Sequence, residues 1–230
     1  MILIHDPQTL TIRRSTDEGK TWDLVTGTQD VVRLVSHPHN NEMAFAIGID
    51  KTHWVTYNRG DSWLSFTTPL EASLIGDVLS FHAEQEGWIL FQGVRCESVG
   101  GGKWGGGEQC WDETYYSTDA FRSEPKLMLR QTSQCTFARS TKALTEAPEK
   151  MVLCVAFDPN TKPGPGGMHS YKDSLLYSSD DWFENKRFVD MGIGKRARGV
   201  MGLGVVSKFM VAALRVAQDG AKRASGGDPM

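Results

Sequence analysis

At 230 residues, with 25 basic against 28 acidic side chains and a formal net charge of -3, the chain has room for one large core or two small ones. It lacks the basic footprint that nucleic acid or an anionic membrane demands, so neither partner is expected. No apolar run approaches the roughly 18 residues of a membrane span, and Met1-Ile2-Leu3-Ile4-His5-Asp6 is not expected to act as a secretory leader.

Seven Trp, ten Phe and 24 Gly predict an all-β chain of short strands and tight turns, because aromatics suit pleated surfaces and glycine supplies positive φ. The first recognisable element is the octet Ser15-Thr16-Asp17-Glu18-Gly19-Lys20-Thr21-Trp22. About 40 residues further on the same pattern returns as Thr56-Tyr57-Asn58-Arg59-Gly60-Asp61-Ser62-Trp63, a period typical of propellers. In such an aspartate box the Asp or Asn side chain is expected to accept hydrogen bonds from the backbone N–H groups of its own turn. Glycine two positions later takes the left-handed conformation, and the Trp ring lies over the hairpin.

Between the two boxes, Val31–Ser36, Met43–Ile47, Thr52–Tyr57 and Ser62–Thr67 read as four antiparallel strands, one propeller blade. Two weaker boxes follow, at Ser117 and Asp119 and at Ser178 and Asp180, each keeping an aromatic and losing the glycine. A third blade is expected over Asp77–Phe81, Gly87–Gln92, Glu113–Ser117 and Lys126–Gln131. A fourth is expected over Gln134–Ala138, Met151–Phe157, Asp173–Ser178 and Lys186–Asp190. The glycine-rich stretch from Gly100 to Gly107 and the Pro/Gly-rich stretch from Pro159 to Gly167 read as loops inserted into them. Gly199–Val205 and Lys208–Leu214 begin a fifth. The domain reading is therefore a partial β-propeller with a half blade over 1–28, blades over 29–68, 69–132 and 133–190, and a half blade over 191–230.

Cys96, Cys110, Cys135 and Cys154 make no C-x-x-C spacing, so zinc and thioredoxin-like sites are not expected. Disulfides Cys96 to Cys110 and Cys135 to Cys154 are the favoured reading, and four buried thiols remain the alternative.

The segment from Ile12 through Trp22, together with Cys110-Trp111-Asp112-Glu113-Thr114-Tyr115-Tyr116-Ser117-Thr118-Asp119-Ala120-Phe121, resembles the luminal region of the sortilin family, close to the fungal vacuolar sorting receptors. The latter segment ends a cysteine-bounded insertion in a box without glycine, as that family does. The resemblance implies part of a ten-bladed propeller in a membrane-anchored receptor of the Golgi and endosome, luminal side. Such a receptor binds peptide segments of soluble hydrolase cargo in the late Golgi, delivers them to the endosome and releases them on acidification. It implies no enzyme activity and no cofactor, and it assigns no ligand-binding residue to this stretch.

Aspartate boxes also occur in sialidases, which makes a glycoside hydrolase the leading alternative and a non-catalytic scaffold the next. A sialidase needs paired carboxyl groups and an arginine cluster. Its candidates Arg13, Arg14, Arg33, Arg59 and Arg95, with Tyr115, Tyr116 and Tyr177, are scattered, and Arg14 reads better as a blade-bridging residue. His37-Pro38-His39 reads as a turn rather than a metal site. The run Gly192-Ile193-Gly194-Lys195-Arg196-Ala197-Arg198-Gly199 reads as a blade connection rather than a phosphate loop.

Overall fold

The computed structural model describes residues 1–99, 107–157, 173–189 and 199–214, and among them every regular element is a β-strand. Strands β1 (Ile2–Asp6), β2 (Thr11–Ser15) and β3 (Asp23–Leu24) form the first sheet. Three strands stand there in place of the two expected of a half blade. The extra one is β1, whose short run Ile2-Leu3-Ile4 pairs antiparallel with Arg13-Arg14-Ser15. Strands β4 (Val31–Ser36), β5 (Ala44–Gly48), β6 (Thr52–Thr56) and β7 (Leu64–Thr67) follow as a four-stranded antiparallel meander.

The next sheet carries eight strands in its main path and side branch. They are β8 (Glu71–Ala72), β9 (Leu79–Phe81), β10 (Ile89–Val99), β11 (Gly107–Ser117), β12 (Lys126–Phe137), β13 (Val152–Phe157), β14 (Ser174–Ser179) and β15 (Arg187–Phe188). Two blades are joined here by one strand, because the expected boundary between 132 and 133 falls inside β12. The first half of β12 pairs with β11 as the fourth strand of one blade, and the second half pairs with β13 as the first strand of the next. A left-handed Gln131 (φ 56°) and a register shift between Thr132 and Gln134 supply the bend between the halves. Strands β16 (Val200–Val206) and β17 (Phe209–Leu214) form a separate hairpin. Among the described residues the sheets do not close into a ring.

Adjacent blades pack face to face, which is why β5 is buried along its whole length instead of alternating. Phe45 and Ile47 face the third sheet with Phe66, Leu79, Phe81, Phe91 and Phe121. Ala46 on the opposite face meets Ile12, Val31 and Trp54. The remaining layers repeat this arrangement, Leu90 and Met128 packing with Phe137 and Val152, and Leu153 and Val155 with Val200 and Leu203. Burial of this kind contributes about 1.5–3 kcal/mol for each large side chain.

The boxes close the outer turns. In the first, Gly19 N–H donates to Ser15 Oγ (2.8 Å) and Thr21 N–H to Asp17 Oδ1 (2.9 Å), while Ser15 Oγ donates to the same Asp17 oxygen (2.8 Å). The bonds from the Thr21 backbone and hydroxyl and from Ser15 pull the Asp17 carboxyl down to about 2. The second box repeats the pattern, with Gly60 N–H on Thr56 Oγ1 (2.8 Å) and Ser62 N–H on Asn58 Oδ1 (3.0 Å).

The fourth box sits one residue later than the sequence suggests. Ser179 Oγ accepts from Phe183 N–H (3.0 Å), and Asp181 Oδ1 accepts from Asn185 N–H (3.0 Å). Ser178 instead pairs with Arg187 in the β14–β15 ladder, and the Asp180 carboxylate lies 3.5 Å from the Arg187 guanidinium. The run Ser178-Ser179-Asp180-Asp181 satisfies Ser-x-Asp in two registers. Only the acceptor-to-donor spacing to Asn185, matching Asp17 to Thr21, separates them.

Loss of glycine in the last two boxes does not change their backbone. Phe121 (φ 64°) and Phe183 (φ 67°) take the left-handed conformation that Gly19 (φ 91°) and Gly60 (φ 79°) take in the first two. A bulky residue there costs about 1–2 kcal/mol. Phe121 offsets this with its ring, stacked on Phe66 at a centroid distance of 4.5 Å. Ser117→Ala is expected to lower stability by about 1–2 kcal/mol, because the hydroxyl of this buried residue accepts from Phe121 N–H (2.8 Å) and donates to Asp119 (3.0 Å). Urea unfolding monitored by tryptophan fluorescence checks it, and an unchanged midpoint would remove the box from the stability of this turn.

Candidate functional site

The cysteines pair as Cys96–Cys110 and Cys135–Cys154, leaving no free thiol. Each bridge joins residues directly opposite each other on neighbouring antiparallel strands. Cys135 and Cys154 are buried in the blade. Cys96 and Cys110 are exposed, in a hairpin where β10 and β11 run past the end of the blade as far as Val99 and Gly107. The sequence reading ended those strands at Gln92 and Glu113, short of the alternation Val94-Arg95-Cys96-Glu97 that continues β10.

Beside that hairpin lies a groove of about 570 Å³. One wall is Glu97 and Trp111 of the hairpin, and another is Phe157, Tyr177 and Lys186 of the following blade. Its floor is the five consecutive residues Leu127 to Gln131 of β12. Consecutive residues lie on alternate faces of a strand, so β12 presents its edge to the groove. On this side β13 joins β12 only from Thr132 onward, and among the described residues no other strand pairs with Leu127–Gln131 there.

A buried carboxylate organises the charges next to this edge. Alternation along β11 places Trp111, Glu113 and Tyr115 on one face. Glu113, 0 % exposed, accepts from Arg95 Nε (2.8 Å) and Nη2 (3.1 Å) and from the Tyr115 hydroxyl (2.9 Å). Arg130 Nε stands 3.6 Å from the same carboxylate. Burial alone would push the Glu113 carboxyl up, but the bonds from Arg95 and Tyr115 outweigh it and hold the group below its ordinary value. Arg130 remains mostly exposed, and the Lys186 ammonium lies 5.0 Å over the Tyr177 ring. Among the described residues, two cations therefore line the groove against the carboxylate of Glu97. On the other face of β11, burial pushes the Asp112 carboxyl up to about 6, with Ser73 opposing the shift through a hydrogen bond.

Four of the five scattered arginines have separate partners. Arg14 bonds Asp61 of the neighbouring box, a bridge between blades. Arg59 bonds Glu42, Arg33 bonds the backbone carbonyls of Leu74 and Gly76, and Arg95 bonds Glu113. His37 and His39 share a turn in which His39 N–H donates to His37 Nδ1 (3.1 Å), and His39 reaches the Ser140 carbonyl (2.8 Å). Lys195, Arg196 and Arg198, like the Pro/Gly-rich insertion from Pro159 to Gly167, lie outside the described residues. The groove itself escaped sequence reasoning because its walls come from strands far apart in the chain. Its nearest signal was Trp111 beside Cys110.

Four-stranded antiparallel sheets stacked face to face, with aspartate boxes in their outer turns, define the class as a partial β-propeller. A family model described as "Sortilin, neurotensin receptor 3" (Sortilin-Vps10) matches residues 10–225, and the chain belongs to that family. "Vacuolar protein sorting/targeting protein 10" of Laccaria bicolor is 39% identical over 219 residues, covering 93% of this chain and 14% of that protein. The protein of the same description from Mycosarcoma maydis is 34% identical over 239 residues, covering 97% of this chain and 15% of its own length. That from Leptosphaeria maculans is 28% identical over 216 residues, covering 92% and 13%. The chain thus spans about a seventh of the length of the curated relatives it matches.

Proposed function

We propose that the chain is a non-enzymatic, cargo-binding part of a vacuolar sorting receptor, and that extended peptide segments of soluble hydrolases bind in the groove along β12. On this reading the whole protein completes the propeller ring, and works on the luminal side of the Golgi and endosome membrane system to carry its cargo from late Golgi to endosome. The names of the relatives, vacuolar protein sorting and targeting, support the transport role.

The observation that carries the binding role is the edge of Leu127–Gln131, which no strand among the described residues pairs on the β13 side, flanked by aromatic side chains and by Arg130 and Lys186. An added strand satisfies the backbone groups of that edge, while the walls select an apolar side chain and a carboxylate. The test is fluorescence anisotropy with a labelled peptide alternating phenylalanine and glutamate. Arg130→Ala combined with Lys186→Ala is expected to weaken binding about tenfold, and N-methylation of alternate peptide nitrogens to abolish it. Binding indifferent to N-methylation would refute strand addition at this edge.

A further inference from the structure

The edge strand of the third sheet is interrupted in an unusual way. Ala72 of β8 pairs with Gly93, and Leu79 of β9 pairs with Phe91, so both run along the same side of β10. Only Gln92 lies between those partners, and it closes the gap by itself. Its carbonyl accepts from Ser73 N–H (2.8 Å), and its own N–H donates to the Val78 carbonyl (2.9 Å). The intervening segment Leu74-Ile75-Gly76-Asp77 is thereby ejected from a strand that is otherwise continuous.

The ejected segment is held rather than loose. Arg33, from the preceding blade, donates from Nη1 to the Gly76 carbonyl (2.6 Å) and from Nη2 to the Leu74 carbonyl (3.2 Å). Gly76 (φ 84°) makes the turn that presents those two carbonyls to one guanidinium. What the loop displays is apolar, with Leu74 49 % and Ile75 80 % exposed. A fixed apolar tip gives up little conformational entropy when something closes over it, and this preorganisation is what a binding anchor needs.

The surrounding charge indicates the occupant. Glu71 and Asp77, both exposed, flank the tip, and the Arg33 guanidinium is occupied by carbonyls. We propose that the Leu74–Asp77 loop is a second recognition element, taking an extended peptide that carries apolar side chains next to basic ones. Such a surface disfavours an anionic lipid headgroup, which would face the two carboxylates. The proposal rests on the cargo-binding reading and adds to it a site of opposite charge preference from the groove.

Anisotropy of the full chain with two labelled peptides, one alternating leucine with lysine and one alternating leucine with glutamate, tests the loop. Flotation with vesicles of phosphatidylcholine and phosphatidylserine in equal parts tests the lipid. Leu74→Ser with Ile75→Ser is expected to weaken the lysine peptide about tenfold and leave the glutamate peptide unchanged. Arg33→Gln keeps both apolar side chains but frees the loop, and is expected to weaken the lysine peptide about threefold. Unchanged tryptophan emission verifies the fold of each variant. The proposal is overturned if the serine variant binds the lysine peptide as the parent chain does, if it loses the glutamate peptide equally, or if it loses the vesicles instead. Failure of the groove reading appears separately, as indifference to N-methylation and to the Arg130 and Lys186 substitutions.

Discussion

Glu113→Ala is expected to destabilise the chain by about 3 kcal/mol, the lower end of the range for breaking a buried ion pair. The carboxylate is fully buried and satisfies two Arg95 nitrogens and the Tyr115 hydroxyl. Truncation leaves the Tyr115 hydroxyl without this acceptor in a side chain that is only 4 % exposed. Arg95 is one-third exposed, so water can replace part of what it loses, which places the cost low in the range. Glu113→Gln keeps an acceptor for Tyr115 and is expected to cost roughly half as much. Replacing Glu113 by leucine together with Arg95 by methionine removes both charges at once and is expected to recover only part of the loss, because the buried Tyr115 hydroxyl still lacks this acceptor. Urea unfolding at neutral pH separates these outcomes. A cost below about 1 kcal/mol for Glu113→Ala would mean that the carboxylate contributes little net stability.

The same cluster shows what was legible in the sequence and what was not. The blade over β4 to β7 was readable to within two residues, because its apolar runs are separated by turn residues and a complete box. The doubled serine and aspartate hid the register of the last box, which lies on Ser179 and Asp181 rather than Ser178 and Asp180. Nothing in the sequence marked β12 as one strand shared by two blades. The bend rests on a left-handed Gln131, and glutamine carries no turn signal. The groove and the Arg95–Glu113–Arg130 cluster were equally invisible. They depend on which residues stand opposite one another on three strands, and register is a tertiary property. The Leu74–Asp77 loop has no sequence signal of its own, because its defining feature is the pair of bonds that Gln92 makes on either side of it.

Between pH 7 and pH 4 the chain is expected to lose on the order of 3 kcal/mol of stability through His53 alone. This imidazole is 0 % exposed, its rings neighbours being Phe66 (5.3 Å) and Phe91 (5.4 Å), where two blades meet. Gly48 N–H donates to Nδ1 (3.1 Å), Nε2 donates to Thr68 Oγ1 (2.8 Å), and the Thr68 hydroxyl donates to the Leu70 carbonyl (2.7 Å). This chain of donors requires a neutral ring with its proton on Nε2, and a proton on Nδ1 would confront the Gly48 N–H. Burial accordingly depresses the group from 6.5 to about 4. Above pH 6.5 both folded and unfolded states are neutral and the contribution is complete. As pH falls from 6.5 toward 4 only the unfolded state binds the proton, so stability is lost across that window. Burial lowers His37 and His82 as well, which steepens the loss. Asp112 acts in the opposite sense. Raised to about 6, it is protonated first in the folded state and returns some stability as pH falls below that value. Unfolding free energies of the parent chain and of His53→Gln, measured in urea at pH 7 and pH 4.5, isolate the His53 part. The glutamine amide can still accept from Gly48 and donate to Thr68 but does not titrate, so the gap between the two chains is expected to narrow in acid. A gap that stays constant between the two pH values would show that His53 does not set the acid sensitivity of this blade contact.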